Sequence, residues 1–159
     1  MPTDKADIFT IARFGDISLF KKKFTSEKIN EKDEFGIGLL HHSIAGKNFD
    51  IATFLIKNRI DVNMTDGDGN TSLHVIAEHP NINVAKEILD RGGDINIRNT
   101  YGNNALWTAV VNCKGRYYDL IDLFMKYDPD TKSKNNAGRS PIEFAKQVAN
   151  RRLISMLEM

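Results

Sequence analysis

Four histidines, one cysteine and a cluster of aspartates are the side chains through which this 159-residue chain could do chemistry. A zinc site needs imidazoles, thiolates or carboxylates converging on one ion. His42 and His79 have no cysteine or carboxylate at that spacing, and His74 and His79, five residues apart, do not share a helical face. The pattern predicts structural histidines and no metal centre. Cys113 is the only thiol, and nothing around it forms a nucleophile signature, with His79 as base or otherwise. The run Asp66-Gly67-Asp68-Gly69-Asn70 alternates acids and glycines as a calcium loop does, but the later bidentate glutamate is missing. A turn is the simpler reading. No glycine-rich phosphate loop follows a buried strand, and the paired carboxylates fall in turns. Neither a catalytic residue nor a cofactor is expected.

The elements that carry these residues recur. Gly36–Ala45 reads GIGLLHHSIA, Gly69–Ala77 reads GNTSLHVIA, Gly102–Val110 reads GNNALWTAV and Gly138–Ala145 reads GRSPIEFA. The leading glycines are 33, 33 and 36 residues apart. A fixed period of this size marks a solenoid, whose units bury their apolar faces only against one another. An apolar fraction of 41%, a charged fraction of 27% and a net charge of +1 are ordinary for a soluble domain and give no field favouring nucleic acid or an anionic membrane. No apolar run approaches about 18 residues, so no membrane span is expected. The first residues lack the apolar core of a secretory signal, and one cysteine rules out an intrachain disulfide; both predict a cytoplasmic protein.

One domain, 1–159, is expected. Residues 1–32 form an imperfect first unit, with apolar stripes at Ile8–Phe14 and Ile17–Phe24 broken by Gly15-Asp16. Lys21, Lys22 and Lys23 there read as a solvated face, since three lysines are too few for a nucleic-acid run. Residues 33–65, 66–98 and 99–134 each hold two short helices, and residues 135–159 form a last unit with Pro141 in a first helical turn. Leu120–Met125 realign with the second helices above, so the three extra residues of the 99–134 unit fall within Cys113–Tyr118, between its helices.

These residues resemble the ankyrin repeat, which has 33 residues and T-P-L-H-x-A opening its first helix. Gly69-Asn70-Thr71-Ser72-Leu73-His74 fits with serine for proline; Leu39-Leu40-His41 lacks the threonine, Leu106-Trp107 has tryptophan for histidine, and Ser140-Pro141 keeps the proline. Asp61-Val62-Asn63 and Asp94-Ile95-Asn96 look like the family's outgoing turn. The resemblance implies an all-α solenoid of helix-turn-helix units with β-turn fingers, three central repeats and two degenerate caps. In that family the histidine at positions like 41 and 74 links adjacent units by hydrogen bonds.

The resemblance further implies a non-enzymatic module that binds another protein through a concave surface of finger tips and first-helix faces. On this chain the expected partner-binding residues are Phe35, Ile37, His42, Asp68, Asn70, Glu78, His79, Tyr101, Asn103, Trp107, Asn112 and Arg139. Phe35, Ile37 and Tyr101 are apolar where a tip faces solvent, so they either anchor a partner or pack back on the next finger. Trp107 either fills the stack or presents an anchor. Short ankyrin proteins resemble inhibitors, adaptors and toxin-neutralising immunity proteins, and the unit beginning Gly102 is similar to bacterial ones. Acids at Asp61, Asp66 and Asp68 and bases at Lys132, Lys134 and Arg139 suggest a partner of opposite polarity along the stack. A monomer that awaits a protein partner, with no nucleic acid or membrane involved, is the leading expectation. The rivals are an enzyme or small-molecule receptor with its site near Glu78, His79, Trp107 and Asn112, and a self-associating module.

Overall fold

The computed structural model describes residues 5–159, so the first four residues of the expected first unit lie outside it. Among the described residues ten α-helices run in pairs: α1 Ile8–Phe14 and α2 Ile17–Lys23, α3 Leu39–Ala45 and α4 Phe49–Lys57, α5 Ser72–Glu78 and α6 Ile82–Asp90, α7 Ala105–Cys113 and α8 Tyr118–Met125, α9 Pro141–Gln147 and α10 Arg151–Leu157. None exceeds nine residues, too short to persist alone in water. The odd-numbered helices pack in one row, the even-numbered in a second, and each pair also packs together. Ile11, Ile44, Leu73, Ile76, Leu106, Ile51, Leu55, Ile88 and Phe124 are all fully buried between or within these layers. The all-α solenoid that the ankyrin resemblance implied is the observed architecture.

The helices begin where the chain supplies a cap. Asp7, Asp16, Asn81, Asn104, Ser140 and Asn150 each accept a hydrogen bond from the backbone N–H three residues on. Pro141 occupies the first turn of α9, where its missing N–H costs nothing.

Between helix pairs the chain makes four fingers built alike. The Oδ1 atoms of Asp33, Asp66, Asn99 and Asn135 each accept the backbone N–H groups two and four residues on. Gly36, Gly69, Gly102 and Gly138 complete the turns at φ between 74° and 78°, a left-handed conformation that side chains resist. At the finger bases lie two isolated antiparallel bridges, Lys32 with Gly38 and Thr65 with Thr71.

The insertion lies within Cys113–Tyr118 as the spacing required, but it is not all loop. α7 is two residues longer than α3 and α5, and the connection to α8 is one residue longer than its counterparts. Lys114, Gly115 and Tyr117 there adopt left-handed backbone. Cys113 is buried and its thiol donates to the Arg116 carbonyl at 2.7 Å; burial pushes its pKa up, against the thiolate a nucleophile needs.

Two glycines show opposite constraints. Gly46 has ordinary backbone angles, yet a Cβ there would stand 1.9 Å from the Arg13 carbonyl oxygen, because α1 crosses α3 at that point. Gly46→Ala is expected to destabilise the protein by about 3 kcal/mol, read from urea unfolding; a loss under about 1 kcal/mol would show that α1 is loosely held. Gly38, by contrast, sits at the N-cap of α3 with extended backbone and room for a Cβ, and the buried His41 Nδ1 beside it has no hydrogen-bond partner. Gly38→Thr should therefore stabilise by about 1 kcal/mol in the same measurement, through the cap and the smaller unfolded-state entropy.

Candidate functional site

The surface available to a partner is set by what the fingers and the first-row helices leave unspent. His41 Nε2 donates to the Asn70 carbonyl at 2.8 Å. His74 Nε2 donates to that of Asn103 at 2.9 Å, while its Nδ1 accepts from the Thr71 N–H at 3.1 Å. Both imidazoles are thus neutral ties between units, as the resemblance implied. Burial lowers the pKa of each, and it outweighs the carbonyl bonds and the Asp66 charge that pull the other way.

Several expected partner contacts are spent in the same way. His42 is buried, with Nε2 at 2.7 Å from Asp33 Oδ2 and the Phe9 ring packed on it at 5.7 Å. Its Nε2 is spent on Asp33, a carboxylate companion invisible to local spacing, and only a small part of the ring remains to line the groove beside Phe9. Burial raises the pKa of Asp33, but the Ile37 N–H, His42 and the Phe35 N–H together hold it below the usual carboxylate range. Asn70 and Asn103 likewise turn inward, their Oδ1 atoms each accepting from the amide of the next finger, Asn99 and Asn135, at 2.8 Å. Asn112 is half-buried and donates to the Thr108 carbonyl at 3.0 Å. Trp107 is also half-buried and meets the Phe144 ring edge-on at 5.6 Å, so it fills the stack.

What remains exposed is uneven. Phe35 is 71% exposed and Tyr101 60%, so these tips do not pack back on neighbouring fingers. Asp68, Glu78 and Arg139 are exposed, and Ile37 and His79 half-buried. The structure adds two residues absent from the expected set, Arg13 and Phe14, the latter 62% exposed. Their signal was present: aligning the N-caps Asp16, Asn48 and Asn81 places Arg13 with Ala45 and Glu78, and Phe14 with Gly46 and His79. The first unit is one residue shorter between Asp16 and Asn30, which hides the match from a strict period of 33.

Two depressions result. The first is an open groove walled by Phe9, Phe14, Phe35 and Ile37, with Arg13 at its edge. The second runs over Ala45 between Arg13 and Ile37 on one side and Glu78 and His79 on the other, with a volume of about 210 Å³. Beside Trp107 and Arg139 the enclosed space is only about 20 Å³, room for one water. Glu78 and His79 thus line one depression, Trp107 another, and Asn112 neither, so the four residues of an inner-groove receptor do not converge. Nor do the three bases near the last finger form a strip. Lys134 pairs with Glu143 at 3.1 Å, and Lys132 lies in a different depression, with Lys146 and Glu158. Among the described residues no group of three metal-binding side chains converges, and no helix is long and apolar enough to cross a membrane.

A family model of ankyrin repeats, in three copies, matches residues 8–99 and 40–136. The chain belongs to the ankyrin-repeat family. Among its relatives, one putative ankyrin repeat protein of fowlpox virus is 38% identical over 80 residues, covering 50% of this chain and 39% of that protein. Another from the same virus is 35% identical over 78 residues, covering 42% of this chain and 18% of the viral one. An ankyrin repeat-containing protein of Schizosaccharomyces pombe is 32% identical over 89 residues, 56% of this chain and 41% of its own length. The chain therefore spans well under half the length of each. Ankyrin repeats generally mediate protein–protein interaction and form a non-enzymatic module.

The two ankyrin ties carry a pH dependence. A histidine whose pKa is lowered on folding contributes fully above its unfolded value of 6.5, and the contribution is lost as pH falls below that toward the folded value. The lowered carboxylates Asp7, Asp33 and Asp130 lose theirs only below about pH 3.8. Stability from chemical denaturation is thus expected to decline in two stages, the first beginning near pH 6.5. A His41→Gln, His74→Gln double variant should lack the first stage; an unchanged slope between about pH 6.5 and 5 would assign it elsewhere.

Proposed function

We propose that this chain binds another protein through the concave face formed by its fingers and first-row helices, and acts by covering a site on that partner, as an inhibitor does. The observation that carries this is the placement of large exposed apolar side chains. Phe35 and Tyr101 stand on fingers, and Phe14 and Val148 fall at matching places at the ends of first-row helices. Tyr117 and Met159 are exposed elsewhere, but these four of the large exposed apolar side chains stand on fingers or first-row helix ends, the surface that a partner would cover in use. A standard interface takes about 800 Å² from each partner, roughly a tenth of the chain's 8495 Å² surface, which a row of fingers supplies. Inhibitors, including those that neutralise toxins, need no more than this.

The reading is tested with paired substitutions in affinity capture from the cells that express the chain. A Phe35→Ala, Tyr101→Ala variant should lose the partners held by the wild-type protein, with affinity down about 30-fold or more. Lys57→Glu, on the opposite row of helices, should keep them. Loss with Lys57→Glu and retention with the finger variant would move the interface to the other face.

A further inference from the structure

Arg13 has no carboxylate partner and donates no hydrogen bond among the described residues, although it is half-buried between both depressions. Its guanidinium lies over the Phe14 ring, 5.5 Å from the centroid. Stacking uses the flat face and leaves the rim of N–H donors free, the geometry that receives a carboxylate side-on. The acids nearby are already occupied. Asp7 accepts from both the Thr10 N–H and hydroxyl, and Asp33 from two finger amides while it meets His42. Glu78 occupies the position equivalent to Arg13 two units along, about 16–20 Å away at ordinary helix spacing, too far to pair. Glu34 stands exposed on the finger side of the groove, so an incoming acid is repelled there and guided to the helix side.

Next to this unpaired cation is the apolar part of the groove. Phe14 and Phe35 face it from α1 and from the first finger, and Ile37 and Phe9 line it below. An aromatic pair separated by an open channel, with a free guanidinium at one end, is the arrangement of an interface anchor. We propose that the groove between α1 and the first finger is the primary docking pocket, that it seats a bulky apolar side chain of the partner between Phe14, Phe35 and Ile37, and that a neighbouring carboxylate of the partner binds Arg13. This rests on the concave-face reading and narrows it to one end of the stack and one partner chemistry, an acidic-apolar protein segment.

The test is selection of short random peptides displayed on phage against the intact chain, followed by affinity measurement on the enriched sequences. The variants are Arg13→Ala, Arg13→Glu, Phe35→Ser and, as a distant control on the same face, Tyr101→Ser. Phe35 and Tyr101 are mostly exposed and Arg13 contributes no bond, so all should fold, which thermal melting checks. The wild-type chain should enrich an aromatic or large aliphatic residue beside Asp or Glu. Such a peptide should bind Arg13→Ala at least about tenfold more weakly, Phe35→Ser similarly, and Tyr101→Ser equally well. Selection on Arg13→Glu should exchange the acid for Lys or Arg. Peptides indifferent to Arg13 and Phe35 but lost with Tyr101→Ser would overturn the docking pocket and leave the concave-face reading standing. Peptides indifferent to every one of these substitutions would overturn both. Failure to enrich any sequence, or an acid preference that survives Arg13→Glu, also overturns the pocket.

Discussion

The structure depends on a side-chain amide that reaches one unit ahead. Asn30 Oδ1 accepts the Asp61 N–H at 2.9 Å, Asn63 the Asp94 N–H at 2.8 Å, and Asn96 the Asp130 N–H at 2.7 Å. The same groups also donate forward, Asn63 to the Gly92 carbonyl and Asn96 to the Asp128 carbonyl. Each bond nets only about 1 kcal/mol, but the helices it joins are too short to exist singly. The bond between Asn96 and Asp130 survives the three extra residues of its unit because the longer α7 and its connection to α8 take them up and leave the finger bases in register. Cooperation between unit and register is what turns marginal helices into one fold.

That arrangement explains why the finger surface is less available than its exposure pattern implies. The polar groups at finger bases are consumed in holding the fingers: Asp33, Asp66, Asn99 and Asn135 clamp their own turns, and Asn70 and Asn103 bond the next finger. Even tip backbone is used, with the Asp68 carbonyl accepting from Thr100 and the Tyr101 carbonyl from Asn136. The side chains left unspent are therefore those at the finger tips and at the ends of first-row helices. Those positions vary freely from unit to unit because no tie passes through them.

The helices, their pairing and the finger glycines were legible in the sequence from a period of 33 and a local pattern, and the histidine ties from the ankyrin resemblance. Asn112 apart, whose Thr108 partner is one helical turn away, the misread residues share one physical cause, contact between different elements of the chain. His42 looked like a surface residue because Asp33 is nine positions away on a different element. Asn70 and Asn103 looked free because their partners lie 29 and 32 positions on. Arg13 and Phe14 were missed for a different reason: the first unit drops a residue between Asp16 and Asn30, and residues sorted by strict period never line up with Ala45 and Gly46. The insertion was located correctly, yet its partition into extra helix and extra loop depended on Val111–Cys113 continuing α7, a matter of packing and not of composition.

Departures from the repeat change the kind of force that joins units. In the histidine row, His41 and His74 bridge to the next carbonyl, Trp107 instead leans on Phe144, and Glu143 turns back to accept the Ser140 N–H at 3.0 Å and to pair with Lys134. In the asparagine row, Lys132 stands where Asn63 and Asn96 stand earlier. The last two units are therefore joined by apolar contact, by the finger bond from the Asn135 amide to Asn103 Oδ1 at 2.8 Å, and by Asn150, whose amide donates to the Tyr118 hydroxyl at 3.1 Å. The first two are joined by a close backbone approach at Gly46 and by Asn48, whose amide reaches the Gly15 carbonyl at 2.6 Å. A close backbone crossing holds α1 in a fixed place, so Arg13 and Phe14 are presented on a rigid support. Rigid presentation of an anchor lowers the entropy lost on binding. The same contact that forbids a side chain at Gly46 thus fixes the end of α1 beside the groove that Phe14, Phe35 and Ile37 line.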